Sequence, residues 1–482
     1  MSLTRSKIQK YLSCTALALV LTPTAGANTL PLLGDYSSSI ISLNTEHKIG
    51  QSIIRQIRGT NQNLQDPIVD NYIQGLAWDL IPTSQLSDKR ILLEVIGNLS
   101  VNAFAAPGGV LGIHAGLILT TQSEGELASV ISHELAHLSQ RHFAAQLENQ
   151  RINTPFAIAT ILAGILVTVA NAEAGSAVLS GTAANSASAN LAFSRKNEQE
   201  ADRIGMLNLS KAGFDPNAMP AMFTRLLNLQ RLQGSAPPEF LLTHPSSSGR
   251  VADSKNRAKS LTIGNKGKNS LEFLVVQARL QAHFALKQKR NINHFRDQFK
   301  NSPNAKNTLT YALVLAKNNR YNESVIQFKK LPSRWRKHIS VKLSLAQVHS
   351  QHQQPDKAKE ILDSLNKVYP DNTAIAMFSA QNYLRAGRPV KAVKILENLT
   401  QLSPDNSQAW YLLAEAQGLA GNKVKLHIAR IEYFQLVGQI ERAKTQLSFA
   451  RRERSLTQEQ SYTLDDLEQY LFQVEDYMKT KI

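Results

Sequence analysis

The sequence predicts a mainly α protein of the α+β class: a helical domain carrying a small sheet, followed by an α-solenoid. Three observations carry this. Ala312, Ala346, Ala380 and Ala414 recur every 34 residues, the stretch 127–138 reads as a breaker-free amphipathic helix, and a short apolar run at 101–105 ends at the turn Pro107-Gly108-Gly109. At 482 residues the chain is too long for one ordinary core, and 43% hydrophobic with 19% charged residues excludes wholesale disorder. A single cysteine, Cys14, rules out an intramolecular disulfide framework and a thiolate metal cluster.

From the N-terminus, residues 1–27 are expected to be a cleavable export signal. Arg5, Lys7 and Lys10 form its basic head, 12–21 its apolar run, and Ala25-Gly26-Ala27 the small-residue cleavage pattern. The run is too short for a permanent anchor. Cleavage after Ala27 leaves a cysteine-free chain outside the cytoplasm. Charge divides that chain, with a net −1 over 28–265 and a net +15 over 266–482. No nucleic-acid partner is expected of an exported protein. The basic part faces acidic protein, anionic lipid or lipopolysaccharide, or is a solvated face.

The chemistry concentrates on one helix. Ser123, with Glu126 three residues on, offers a capping box. His133 and His137 are four apart, so their imidazoles project from one face, a turn apart, which suits two nitrogens on one Zn2+ at about 2.0–2.1 Å. Glu134 is turned about 100° around the axis. There it reaches an attacking water without joining the metal ligands, and can act as general base and then acid. This is the H-E-x-x-H signature of metalloproteases.

A third ligand must come from elsewhere. His142, nine residues after His133, is expected on the opposite face of the helix, and Phe143 breaks the extended His-x-x-Gly-x-x-His pattern. A carboxylate on a second helix, read from about 189 to 212, is therefore needed. Glu198 and Asp202 share a face, while Glu200 points elsewhere, to solvent or a salt bridge. Geometry alone does not choose among the three. Further on, Thr243-His244-Pro245 places His244 on a turn between helices. It can donate to the oxyanion of a tetrahedral intermediate, or take the open coordination place and hold the enzyme inactive until displaced. Between these segments, 155–170 is apolar but too short to span a bilayer, and Ala-, Gly- and Ser-rich sequence continues to 192. A helical hairpin covering the site, or lying against a membrane surface, is the expectation.

The 34-residue period begins at 305. Ser324, Ala358, Ala392 and Leu426 stand twelve positions after the recurring alanines, and Pro370-Asp371-Asn372 returns as Pro404-Asp405-Asn406. Small residues where two helices cross, with Pro closing the second, make the tetratricopeptide pattern. Repeats 339–372 and 373–406 are clear, 305–338 is fair and 407–440 degenerate. Such arrays present a concave binding surface.

His133-Glu134-Leu135-Ala136-His137 followed by Ser194-Arg195-x-x-Glu198-x-x-Ala201-Asp202 resembles the gluzincin peptidases, which include the CAAX-prenyl proteases and the bacterial heat-shock membrane peptidases. The resemblance implies a zincin-type metallopeptidase domain over 28–265 before the tetratricopeptide domain, 266–482. It implies one Zn2+ per chain held by His133, His137 and Glu198, with Asp202 orienting a ligand imidazole from behind. It also implies an edge strand at 101–105 in which Asn102, Ala103 and Phe104 bind substrate backbone beside the metal. Relatives carry Thr-His-Pro followed by Arg, which gives His244 a functional part beside Glu134. The export signal and the repeats are similar to those of periplasmic members. They imply a periplasmic zinc endopeptidase, with a chaperone role besides, in quality control and assembly of outer-membrane β-barrel proteins. Its clients are unfolded or stalled precursors, and its repeats dock on the assembly machinery or on the client. The opposing reading is a non-proteolytic periplasmic adaptor or chaperone whose zinc site is structural or occluded.

Overall fold

The computed structural model describes residues 42–60, 62–149, 194–233, 238–262, 264, 269–285, 288 and 290–481. The export signal with Cys14, the apolar stretch 155–192 and the division at 265/266 lie outside them.

Two helices open the N-terminal half. In α1 (Leu43–Gly59) the isoleucines at 49, 53, 54 and 57 line one buried face. The next helix, α2 (Pro67–Leu80), is started by Asp66, whose carboxylate accepts the amides of Ile68 and Val69, with Pro67 in the first turn. Three strands follow: β1 (Leu92–Ile96), β2 (Ala103–Ala106) and β3 (Val110–His114). Their order is β1-β3-β2, with β1 parallel and β2 antiparallel to β3, so among the described residues β2 is an edge strand. The strand begins at Ala103 and not at Val101, because the Val101 carbonyl turns away to accept the Phe240 amide at 3.1 Å.

Among the described residues, helices α3 (Ala115–Thr120), α4 (Glu124–Ser139), α5 (His142–Asn149), α6 (Arg195–Lys211), α7 (Ala218–Gln233), α8 (Glu239–Thr243) and α9 (Ser248–Ala258) follow in this half. The capping box of α4 is half formed. Ser123 Oγ accepts the Glu126 amide at 3.1 Å, but Glu126 reaches one residue further back, to the Gln122 amide at 2.7 Å, and pairs with Arg225 at 2.8 Å. Helix α6 starts at Arg195, later than the sequence suggests, because Ser194 is extended and its hydroxyl caps the Asn197 amide.

Gly205 lets α6 lie against α4. A Cβ there would stand 2.9 Å from the Ser132 carbonyl oxygen and 3.1 Å from His133 Cα. Gly205→Ala should therefore force the helices apart and destabilise the fold by about 1–3 kcal/mol. A denaturant midpoint equal to the parent's would show that this close approach is dispensable.

The repeat helices begin where the period places them. Ala305–Lys317, Ile339–Gln351, Thr373–Arg385 and Ser407–Leu419 are the first helices, and Tyr321–Lys330, Pro355–Asn366, Pro389–Leu402 and Lys423–Leu436 the second. Ala312, Ala346, Ala380, Ser324, Ala358 and Ala392 are fully buried at the crossings. The fourth repeat departs from the pattern for a visible reason. Leu426 takes a small-residue place, and Gly418 makes room for it, since a Cβ at 418 would lie 2.6 Å from Leu426 Cδ1. Further helices, Leu271–His283 and Ile292–Asn301 before the repeats and Ile440–Arg452 and Gln458–Lys481 after them, extend the array beyond the periodic sequence.

The array curls back on the N-terminal half. Phe273, Val276 and Leu280 share one core with Ile68, Ile73, Leu117 and Ile131, and Ala346 and Phe378 join it. Arg279 pairs with Asp66 at 2.7 Å, and Arg55 donates to the Tyr470 hydroxyl at 2.8 Å. Among the described residues no helix is long and apolar enough to cross a membrane.

Candidate active site

Helix α4 is buried from Glu126 to His137, so its histidines face the interior and not solvent. Opposite them, α6 offers Glu198 from its first turn, where a carboxylate is favoured by the unpaired amides. The loop after α8 brings His244 to the same point. One nitrogen or oxygen from each of His133, His137, Glu198 and His244 lies within 4.8 Å of the others, and all four residues are buried.

The separations are those of a coordination polyhedron. His133 Nε2 is 3.1 Å from His137 Nε2, 3.4 Å from His244 Nδ1 and 3.6 Å from Glu198 Oε2. Glu198 Oε1 is 3.4 Å from His137 Nε2 and 2.9 Å from His244 Nδ1. Ligand atoms about 2.0–2.1 Å from a tetrahedral metal stand about 3.3–3.4 Å apart, so the donor set fits a divalent ion in size and chemistry.

Glu134 stands beside this set and outside it. Its Oε2 accepts the Ala105 amide at 2.8 Å, and its Oε1, 3.5 Å from His244 Nε2, has no hydrogen-bond partner among the described residues. Burial raises its carboxyl pKa, in the direction a general base needs. Burial also works to raise Glu198, but the imidazoles of His244, His133 and His137 outweigh it and hold that carboxyl well below the usual range. For His137 burial dominates and drives the pKa well down, the direction that metal ligation would require.

Behind these four side chains lies a layer of charge. Asp202 Oδ1 is 3.1 Å from His133 Nδ1. Arg250, barely exposed, grips Asp202 with Nε at 2.7 Å and Nη2 at 2.6 Å, and its Nη1 lies 2.7 Å from Glu198 and 2.8 Å from the Pro245 carbonyl. One guanidinium thus ties both acids of α6 to the His244 loop. In the segment 244–250 the sequence marks out the histidine; Arg250 by itself carries little signal, and only the fold shows its reach.

Two sequence expectations are corrected here. His142 is not on the far face of α4. That helix ends at Ser139, Arg141 takes a left-handed φ of 49°, and His142 turns back to place Nδ1 3.0 Å from His137 Nδ1. Of the three strand residues expected to meet substrate, Asn102 and Phe104 turn their backbone to β3, and only Ala103 faces the open edge. His114 donates to the Asn102 carbonyl, so by the alternation of an antiparallel pair the backbone of Phe104 also faces β3 and that of Ala103 and Ala105 faces the open edge. The Phe104 ring packs with Ile49, Ile53 and Val110, and Asn102 is buried.

Such a helix, with two histidines and an adjacent acid opposite a carboxylate from a second helix, defines a metallopeptidase, and residues 67–258 match Peptidase family M48. Residues 289–417 match the ARM repeat of tetratricopeptide repeat protein 21. The β-barrel assembly-enhancing protease of Escherichia coli strain K12 is 31% identical over 463 residues, 94% of this chain and 93% of that one. A putative β-barrel assembly-enhancing protease of Vibrio cholerae is 36% identical over 57% of each chain, and mitochondrial metalloendopeptidase OMA1 of Arabidopsis thaliana is 31% identical over 40% of this chain and 33% of its own. The chain belongs to the β-barrel assembly-enhancing protease family. It is a metalloprotease that uses a metal cofactor, with a tetratricopeptide-like region whose partners are proteins.

Proposed function

We propose that this chain is a periplasmic zinc endopeptidase that acts in quality control and assembly of outer-membrane β-barrel proteins. It is made as a leader (1–27), a peptidase domain (28–265) and a repeat domain (266–482). The observation that carries the reading is the convergence of His133, His137 and Glu198 with Glu134 beside them and an edge strand alongside. His133, His137 and Glu198 would hold Zn2+, which when bound would polarise the scissile carbonyl and acidify water. Glu134 Oε1 takes the proton from the attacking water and returns it to the leaving amine. Ala103 and the carbonyl of Ala105, on the open side of β2, pair with the backbone of an extended client, which restricts cleavage to unfolded or stalled chains. Asp202 orients the His133 ring and Arg250 holds Asp202. Metal analysis of the purified protein, alongside digestion of an unfolded outer-membrane precursor, tests this: one zinc per chain and chelator-sensitive cleavage are expected, and a metal-free active protein sinks it.

His244 acts as a latch in this reading. Its Nδ1 lies 3.4 Å from His133 Nε2 and 2.9 Å from Glu198 Oε1, so it could take the coordination place that catalytic zinc sites leave open. If the released form is about 1–10% populated, His244→Ala should raise basal proteolysis by about 10–100-fold. A fall instead would favour the oxyanion role.

The repeats are proposed to dock clients and the β-barrel assembly machinery. A cavity of about 840 Å3 between the two halves supports this, lined by Trp78, Leu93, Met377, Trp410 and Tyr470. The apolar stretch 155–192 is proposed to cover the site or touch the membrane surface.

A further inference from the structure

The geometry points to His142 and Glu200 as positioning residues for His137, forming a relay that fixes which nitrogen of that ring faces the metal. The inference rests on the ligand assignment above and adds residues that the ligand set does not include.

His137 turns Nε2 toward His133 and Glu198. A neutral imidazole that ligates through Nε2 carries its proton on Nδ1, and that proton needs an acceptor in a buried site. His142 Nδ1 is 3.0 Å from His137 Nδ1, and His142 is itself buried. For it to accept, the proton of His142 must sit on Nε2, which lies 3.4 Å from Glu200 Oε2. The order of hydrogens is then fixed along the chain: His142 donates to the Glu200 carboxylate, and His137 donates to His142. Glu200, at 23% side-chain exposure and 4.0 Å from Arg203, anchors the outer end.

The two ligand histidines are thus supported differently, and helix geometry says why. Asp202 lies one turn beyond Glu198 on the inner face of α6 and meets His133 directly. Glu200 is two residues from either, on a different face, and a glutamate side chain there does not reach His137 unaided. The left-handed turn at Arg141 supplies the bridging ring. Without the relay, His137 can present either nitrogen to the metal or rotate, and affinity falls.

The test compares His142→Leu, which removes the acceptor, with His142→Asn, whose amide oxygen can stand near the place of Nδ1. Zinc affinity is measured by competition with a chromophoric chelator, and stability of the metal-free chain by denaturant unfolding. We expect His142→Leu to weaken zinc by about 10–100-fold, His142→Asn to recover most of that loss, and the metal-free midpoints of the two to agree. Glu200→Ala, at a partly exposed position that folding tolerates, should weaken zinc by a smaller factor with no change in the metal-free midpoint. The inference is overturned if His142→Leu or, should that variant not fold, Glu200→Ala binds zinc as the parent does. It is also overturned if Asn is no better than Leu. A parent chain that binds no zinc sinks the ligand assignment itself, which a separate titration of the parent reveals.

Discussion

Replacing Glu134 by Gln should lower proteolysis by about 10²–10⁴-fold, the range that a positioned general base contributes, while zinc content stays at the parent value. The substitution keeps shape and one acceptor, so the hydrogen bond from the Ala105 amide survives. It removes basicity at Oε1, the oxygen that accepts no hydrogen bond from the described residues. Glu134 is outside the converging ligand set, so the metal is expected to stay. Because His244 Nε2 lies 3.5 Å from Glu134, the cleaner measurement is made in a His244→Ala background, where basal cleavage is high enough to follow over several decades. Cleavage of an unfolded precursor within about ten-fold of that background would mean that the carboxylate is not the base, and the opposing account of an adaptor with an occluded site would regain ground.

Arg250→Met should be the most destabilising single change at the site. The guanidinium is buried between Asp202 and Glu198, both of them buried, and no other cation of the described Lys and Arg residues pairs with either acid. Removing one member of such a cluster leaves uncompensated charge in a low-dielectric interior, which costs about 3–5 kcal/mol. Met roughly replaces the volume, so the loss reports charge more than packing. The Pro245 carbonyl also loses its donor, which frees the His244 loop. Unfolding of the metal-free chain in denaturant measures the effect, and Arg250→Lys should recover only part of it, since the three donors of one ammonium cannot reproduce the planar two-pronged grip on Asp202 together with the contacts to Glu198 and the Pro245 carbonyl. An unchanged midpoint would show that Asp202 and Glu198 do not depend on Arg250.

Which parts of this were legible in the sequence follows from where the determining physics lies. Helix α4, its N-cap and the shared face of His133 and His137 depend on spacing along one helix, which the sequence displays directly. The repeat starts at 305, 339, 373 and 407 were readable for the same reason, since each crossing needs a small residue at a fixed distance. The fourth repeat hid its compensation, Gly418 for Leu426, because the two contribute to opposite helices of one pair.

The sequence by itself determined the local devices of this protein: a metal-binding helix, a carboxylate-bearing helix and a periodic array. Only the tertiary structure decided which acid meets which imidazole, that His142 returns to His137 through a left-handed turn at a non-glycine residue, and that Arg250 binds the α6 acids to the His244 loop. Spacing rules act within about one helical turn. Contacts between residues 46 to 111 apart in the chain are set by how buried faces pack, as at Gly205 against His133, and no local pattern encodes them.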